Sequence, residues 1–380
     1  MDRNKLRIGI LFNFKSSWLG GIQYIINIIN TLNFLDDTEK PEIYFFYRPD
    51  LGMFLDEIKY PYMNLIKWTF PSIVQGNLKS LLLRKNLFIK EIISNYSLNA
   101  IYPLYDFPVR TITNVKLVSW CADFQHKHYP EFFSKIQIIG RNVRIRLALR
   151  NNDDMVLSSQ AAFNDLTSFF NLRKGLKIHI FHFVSVIDNL EHVKIDGLRA
   201  KYNLPEKYFL VSNQFHKHKN HKVLLLSLVK LKKMGIRKHL VITGKFPSAA
   251  DSPYLSELHS IIEDNKLQDQ VSLLGVISRS DQLQIMRHSQ AVLQPSLFEG
   301  WSTVIEDAKS LQVPVVASNL NINIEQLGED GVYFDPQNPD ELVSILMNCP
   351  ERNLNDVFYE DYSKRIKESA RELIKIFQQT

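Results

Sequence analysis

Two carboxylates seven residues apart carry the clearest chemical signal in this sequence. They are Glu299 and Glu306, inside VLQPSLFEGWSTVIEDAKSLQVPVVAS at residues 292–318. An apolar run that reads as a buried strand ends in a polar turn bearing Glu299, and a helix is expected from about Trp301 or Ser302. Seven helical residues advance the chain about 10 Å and return it nearly to the same face, so both carboxylates can meet one extended ligand. The backbone N–H groups of Trp301, Ser302 and Thr303 would lack intrahelical partners at such a start. That favours a phosphorylated ligand over a neutral one.

A cation suited to such a ligand stands in VSNQFHKHKNH, residues 211–221, where Lys219 follows a buried strand together with Gln214. Earlier in the chain Gly20 and Gly21 separate the first strand from its helix. Glycine lets a backbone approach a ligand closely, although a lone pair of glycines is also an ordinary tight turn. No G-x-G-x-x-G dinucleotide fingerprint is present. SWCADFQHKHYPEFFS sets Asp123, His126 and His128 among aromatic rings. Its D-x-x-H-x-H spacing lacks a third ligand set and does not read as a metal site. Val276 and Ile277 follow another strand that closes on Gly275, and Ser158 and Ser159 suit a helix cap.

Short apolar runs alternate with helical periods to position these groups. Strands are expected at 6–12, 43–47, 100–104, 116–120, 155–158 and 177–179, with a helix over 22–32; residues 50–80 give no clear period. The pattern restarts with strands at 208–212, 239–243, 271–275, 291–294 and 314–317 and helices at 220–234, 254–265, 280–288, 303–311 and 324–327. Such alternation specifies two α/β halves, each a mostly parallel sheet covered on both faces, with active residues beyond the strands' carboxyl ends. The boundary is placed at 190/191, within 184–203, giving domains 1–190 and 191–360. A terminal helix over 361–380 is expected to pack across the interdomain region.

The length of 380 residues exceeds what one core usually organises, and 45% apolar residues exclude a disordered chain. Residues 1–185 hold 23 Lys/Arg against 15 Asp/Glu, and the remainder 23 against 25, so the positive charge lies in the first half. The run from Lys79 through Arg84 and Lys85 to Lys90 mixes basic residues with Leu82, Phe88 and Ile89, and Arg141, Arg144, Arg146 and Arg150 recur at helical spacing. Both suit either a solvated helix face or an anionic membrane surface; no nucleic-acid module is present. The start of the chain has no secretory pattern and no segment reaches the roughly 20 apolar residues that span a bilayer, so a cytoplasmic or membrane-peripheral location is expected. Cys121 and Cys349 are far apart and read as buried thiols in a reducing compartment.

On FEGWSTVIE within PSLFEGWSTVIEDAKSLQVPVVASN, the chain resembles the retaining glycosyltransferases of family 4, whose E-x7-E motif it matches. The resemblance implies a GT-B fold, two Rossmann-like domains with a cleft between them: an N-terminal acceptor domain and a C-terminal nucleotide-sugar donor domain. It implies that Glu299 contacts donor-sugar hydroxyls, that Glu306 binds the nucleotide ribose and that Lys219 neutralises the diphosphate. Gln214 stands where the family usually has Arg. The resemblance brings Gly20 and Gly21 near the donor phosphates, His126 to the sugar junction, and Val276 and Ile277 to the base. Transfer would proceed without cofactor or metal to a glycan or polyprenyl-linked oligosaccharide, with mannose and glucose as the leading donors. A nucleotide-sugar epimerase, a sugar-phosphate phosphorylase and a nonenzymatic nucleotide-sugar binder of the same architecture are the alternatives.

Overall fold

The computed structural model describes residues 5–187, 190–247 and 252–378. It divides into two compact units, residues 1–184 with 363–380 and residues 185–362. Residues 188 and 189, at the expected boundary, lie outside the described residues.

The first unit runs β1 (Arg7–Phe12), α1 (Leu19–Thr31), β2 (Glu42–Tyr47), β3 (Met63–Lys67), α2 (Ile73–Leu83), α3 (Lys90–Asn95), β4 (Ala100–Leu104), β5 (Lys116–Cys121), α4 (Gln125–His128), α5 (Lys135–Asn151), β6 (Asp154–Leu157), α6 (Gln160–Phe169) and β7 (Lys177–Ile180). Its seven strands are parallel in the order β3-β2-β1-β4-β5-β6-β7. β3 and α2 occupy the stretch that showed no sequence period. Met63–Lys67 is an edge strand with three of its five side chains exposed, and α2 turns large apolar residues to solvent. Neither leaves the one-sided pattern on which periodicity depends.

The second unit runs α7 (Ile195–Tyr202), β8 (Phe209–Ser212), α8 (His221–Lys233), β9 (Leu240–Thr243), α9 (Pro253–Asp264), β10 (Val271–Gly275), α10 (Arg279–Arg287), β11 (Val292–Gln294), α11 (Thr303–Ser310), β12 (Val315–Ser318), α12 (Asn321–Leu327), β13 (Val332–Phe334) and α13 (Pro339–Asn348). Its strands form a second parallel sheet, β10-β9-β8-β11-β12-β13. Strands buried on both faces, such as FLVS, LVIT and VVAS, need continuous apolar runs, because helices cover each side. Both units are therefore doubly wound and Rossmann-like, the pair of folds expected from the alternating sequence.

In each sheet the winding reverses beside its first strand, between β1 and β4 and between β8 and β11. Ligands of such sheets bind outside the strands' carboxyl ends at that reversal. The last helix, α14 (Tyr362–Phe377), packs on the first unit. Phe377 meets Tyr102 at 5.4 Å between ring centroids, and Lys367 reaches Asp36 at 3.1 Å. Both cysteines are free and half-buried, not fully buried as expected. No helix among the described residues is long and apolar enough to cross a membrane.

Candidate functional site

The loops leaving β8 and β11 meet at the reversal of the second sheet. After β8 the chain makes a single 3-10 turn over Lys217–Lys219, and Asn220, at φ 52°, swings it into α8. Asparagine is among the few residues that tolerate this left-handed conformation, and its side chain donates to the Pro336 carbonyl at 2.8 Å. The Leu297 N–H donates to the His218 carbonyl at 2.7 Å, which ties the two loops together.

This tie sets Lys219 Nζ 2.6 Å from Glu299 Oε1. The same carboxylate oxygen accepts from Gln294 Nε2 at 2.6 Å. Gln294, fully buried at the end of β11, has its own Oε1 engaged by Asn213 Nδ2 at 2.9 Å, which fixes which end of its amide faces Glu299. Gly244, at φ +145°, lets β9 pass Asn213: a Cβ there would stand 2.2 Å from the Asn213 carbonyl oxygen. Burial raises the Glu299 pKa, but the charge and hydrogen bond of Lys219 and a hydrogen bond from Ser296 outweigh it, so the carboxyl lies below its ordinary range. Burial, and then the Lys219 charge, lower His218 to about 4 and His221 to about 3. Both are neutral at pH 7, which leaves Lys219 as the cation facing Glu299.

Glu306 is reached by another route. The helix starts at Thr303, the first residue of the period read over 303–311, with Ser302 as its N-cap: the Ser302 hydroxyl accepts from the Ile305 N–H at 3.3 Å. The Ser302 N–H is not available to a ligand as expected, because it donates to Gln326 Oε1 at 3.1 Å. Gln326 Nε2 in turn donates to the Ser302 carbonyl at 2.9 Å and to Glu306 Oε1 at 2.8 Å. Glu306 is 1% exposed and sits in the first turn of α11, where a negative charge suits the helix dipole. Arg279 holds the neighbouring Asp307 by two bonds of 2.6 and 2.5 Å and so fixes α11 against α10. Gln214 Oε1 accepts from His216 Nε2 at 2.9 Å, Val276 is exposed, and Ile277 packs against the unit's core.

The remaining expected residues lie in the first unit. Gly20 and Gly21 are not a loop between strand and helix: α1 begins at Leu19 and both lie in its first turn. A Cβ on Gly21 would come within 2.7 Å of the Trp18 ring, so the residue is small because the indole folds over it. Trp18 stacks on Trp120 at 5.7 Å, and Trp120 on Tyr24 at 4.0 Å. His126 is 2% exposed; its Nε2 meets Asn142 Oδ1 at 3.2 Å, while its buried Nδ1 has no hydrogen-bond partner. Burial lowers its pKa, and the imidazole is neutral. Asp123 accepts from the Gln125 N–H at 3.0 Å, and His128 pairs with Asp165 at 2.8 Å. Among the described residues no group of three or more His, Cys, Asp or Glu could hold a metal ion.

Comparison with known proteins places this geometry in context. Residues 195–372 match the family described as Glycosyl transferases group 1. Over 272 residues the chain is 25% identical to an uncharacterized glycosyltransferase of Methanocaldococcus jannaschii, covering 69% of this chain and 58% of that protein. Over 231 residues it is 22% identical to the O-antigen chain mannosyltransferase RfbU of Salmonella typhimurium, covering 60% and 59%. The chain thus spans little more than half the length of these curated relatives. Among solved structures, Anabaena HepE in complex with UDP-glucose matches with a TM-score of 0.65 at 18% identity, over 97% of this chain and 99% of that one. Sucrose-phosphate synthase of Thermosynechococcus elongatus gives 0.64 at 16%, over 98% and 96%. The chain resembles the GT-B glycosyltransferases.

The matched segment of this GT-B-like chain contains Gln214, Lys219, Val276, Ile277, Glu299, Trp301, Ser302, Thr303 and Glu306, whereas Gly20, Gly21 and His126 lie outside it. Sequence reasoning missed Asn213, Gln294 and Gln326. A glutamine closing an apolar strand was the available signal, since a polar side chain buried there must find partners.

Proposed function

We propose that this protein transfers a sugar from a nucleotide-diphosphate sugar to an acceptor hydroxyl with retention of anomeric configuration. The observation that carries the reading is the Lys219 ammonium 2.6 Å from the Glu299 carboxylate at the reversal of the second sheet. One group suits a diphosphate and the other suits sugar hydroxyls. A diphosphate oxygen would take the hydrogen bonds that Lys219 now gives to Glu299. The carboxylate, still held by Gln294, would turn to the donor sugar and to the positive charge that develops at its anomeric carbon.

In this reading Glu306 accepts from the ribose hydroxyls, and the backbone at Val276 and Ile277 borders the base. Gln214 and the α11 start at Trp301, Ser302 and Thr303 flank the phosphates. The carbon–oxygen bond to the diphosphate breaks on the face where the new glycosidic bond forms, and the leaving diphosphate takes the acceptor proton. Lys219, not a metal ion, carries the diphosphate charge. In the first unit Gly20 and Gly21 offer the ligand a close backbone approach, and His126 offers its unpaired Nδ1 to a sugar hydroxyl. Glucose and mannose are the leading donors, supported by the UDP-glucose complex of HepE and the mannosyltransferase RfbU. The acceptor is a glycan or polyprenyl-linked oligosaccharide of surface polysaccharide synthesis, met in the cytoplasm at the inner face of the membrane.

A panel of UDP- and GDP-sugars titrated against the chain, followed by the anomeric configuration of the product on oligosaccharide acceptors, tests the reading. Retained configuration is the expected result. Donor isomerisation, phosphate-dependent cleavage or binding without turnover would each overturn it.

A further inference from the structure

One surface of the first unit has no task in donor binding. Helix α2 is built inside out. Its buried positions are Gly76 and Ser80, and around them Ile73, Val74, Leu78, Leu81, Leu82 and Leu83 all face solvent, Val74 at 79% and Leu82 at 76% exposed. The small inner residues explain how the helix sits: a Cβ on Gly76 would lie 2.6 Å from the Phe88 ring, and Ser80 Oγ accepts from the Leu87 N–H at 3.1 Å. Phe88 and Ile89, which a membrane-facing run would expose, are instead the floor beneath α2.

Helix α5 continues this surface. Asp106 accepts from Asn77 of α2 at 3.3 Å and from Arg144 of α5 at 2.9 Å, so one carboxylate joins the two helices. The first turns of α5 expose Ile136, at 83%, and Ile139, with Val143 one turn on. Residues 72–85 and 134–151 contain no Asp or Glu, while Lys79, Arg84, Lys85, Lys135, Arg146 and Arg150 are exposed among the apolar side chains. Exposed apolar side chains in such number mark an interaction surface.

We propose that α2 and α5 together form a docking face for an anionic lipid bilayer, apolar side chains entering the headgroup boundary and the cations meeting lipid phosphates. Charge decides the occupant. A second copy of this chain would bring one acid-free cationic face against another, and nucleic acid would leave the leucines and isoleucines unburied. A lipid surface satisfies both sets at once. This deepens the membrane part of the proposed function and does not depend on the donor site.

The test is vesicle co-sedimentation of the full chain with phosphatidylcholine alone and with added phosphatidylglycerol. Binding to the anionic vesicles only, weakened by salt, is expected. Lys79→Glu, Arg84→Glu and Lys85→Glu combined should lower vesicle affinity roughly a hundredfold, and Leu78→Ser with Leu82→Ser should lower it with the charges intact. Ile139→Ser with Arg146→Glu on α5 provides a second route if the α2 variants do not fold. Wild-type binding by the folded variants, equal binding to both vesicle types, or a dimer that Leu82→Ser dissolves would overturn the proposal. Nucleoside-diphosphate affinity measured in parallel keeps the two readings apart: a chain that binds the nucleotide but not vesicles refutes the docking face alone, and the converse refutes the transferase reading alone.

Discussion

At the carboxyl ends of β8 and β11, Gln294 and Lys219 converge on one carboxylate, Glu299, with Asn213 holding Gln294 behind them. At the carboxyl ends of β1 and β5 in the other unit, Trp18 and Trp120 stack and the nearby imidazole of His126 is buried and neutral. The carboxyl ends of two similar sheets are furnished in opposite ways. A largely buried ion pair adds little to a fold's stability, because desolvation offsets much of its attraction, and under the proposed function this pair exchanges partners with the ligand. Stacked rings and a neutral imidazole suit an uncharged ligand. Under the proposed function, charge recognition belongs to the second unit and neutral recognition to the first.

Removing the charge at Glu299 breaks the comparison most sharply. Glu299→Gln should cut single-turnover transfer by about 100- to 1000-fold, as loss of a preorganised electrostatic contact does. It also releases Lys219, so nucleoside-diphosphate affinity measured by calorimetry should hold or rise. Unchanged turnover in the folded variant would remove Glu299 from the chemistry.

Lys219→Ala strands Glu299 as a buried, unpaired carboxylate. It should cost about 3 kcal/mol in urea unfolding, with a matching loss of diphosphate affinity. Lys219→Ala combined with Glu299→Gln should regain much of the stability and none of the affinity. Additive losses in the double variant would mean that the two groups do not form a pair.

The histidines give the second unit a pH dependence of their own. The folded chain holds His221 neutral down to about 3, so between pH 6.5 and that value the unfolded chain binds the proton first. The stability this group supplies is complete above its unfolded pKa and falls as pH drops below about 6.5, by about 2 kcal/mol at pH 5. Glu299, lowered from its ordinary range, loses its contribution at more acid pH. His221→Phe keeps the stack on Phe215 at 4.6 Å and should flatten the loss between pH 6.5 and 5 in thermal melts.

The first unit gives a smaller effect with a different readout. His126→Ala should lower acceptor-dependent transfer about tenfold, the worth of one hydrogen bond, and leave nucleoside-diphosphate affinity unchanged. Loss of transfer in step with loss of thermal stability would assign the ring to packing alone, through its contact with Asn142.

The same contrast explains what could be read from the sequence. Strands such as VVAS and LVIT declare themselves because burial on both faces demands unbroken apolar runs, and Glu299, Glu306 and Lys219 stand out as charges beside such runs. Helix α2 was hidden because its inner face is Gly76 and Ser80, leaving no apolar stripe on the buried side. Gly21 suggested a ligand, and the structure gives it a local reason in the Trp18 ring. A glutamine closing an apolar strand signals a buried amide but not its task, which depends on partners the fold brings from afar: Asn213 lies 81 residues from Gln294, and Ser302 lies 24 from Gln326.

The finest probe adds charge where the chain lacks it. Gln214 stands on the loop that bears Lys219, and its side chain accepts from His216 Nε2 at 2.9 Å. Gln214→Arg places a second cation on the loop that bears Lys219 and gives up one neutral hydrogen bond. The new guanidinium would be partly exposed, so its attraction for a diphosphate is screened and worth about 0.5–1 kcal/mol, a threefold to fivefold gain in affinity. The gain should shrink with added salt and leave the acceptor dependence of transfer untouched, because charge recognition resides in this unit. If affinity does not change while the acceptor dependence does, the division of labour between the two units is wrong.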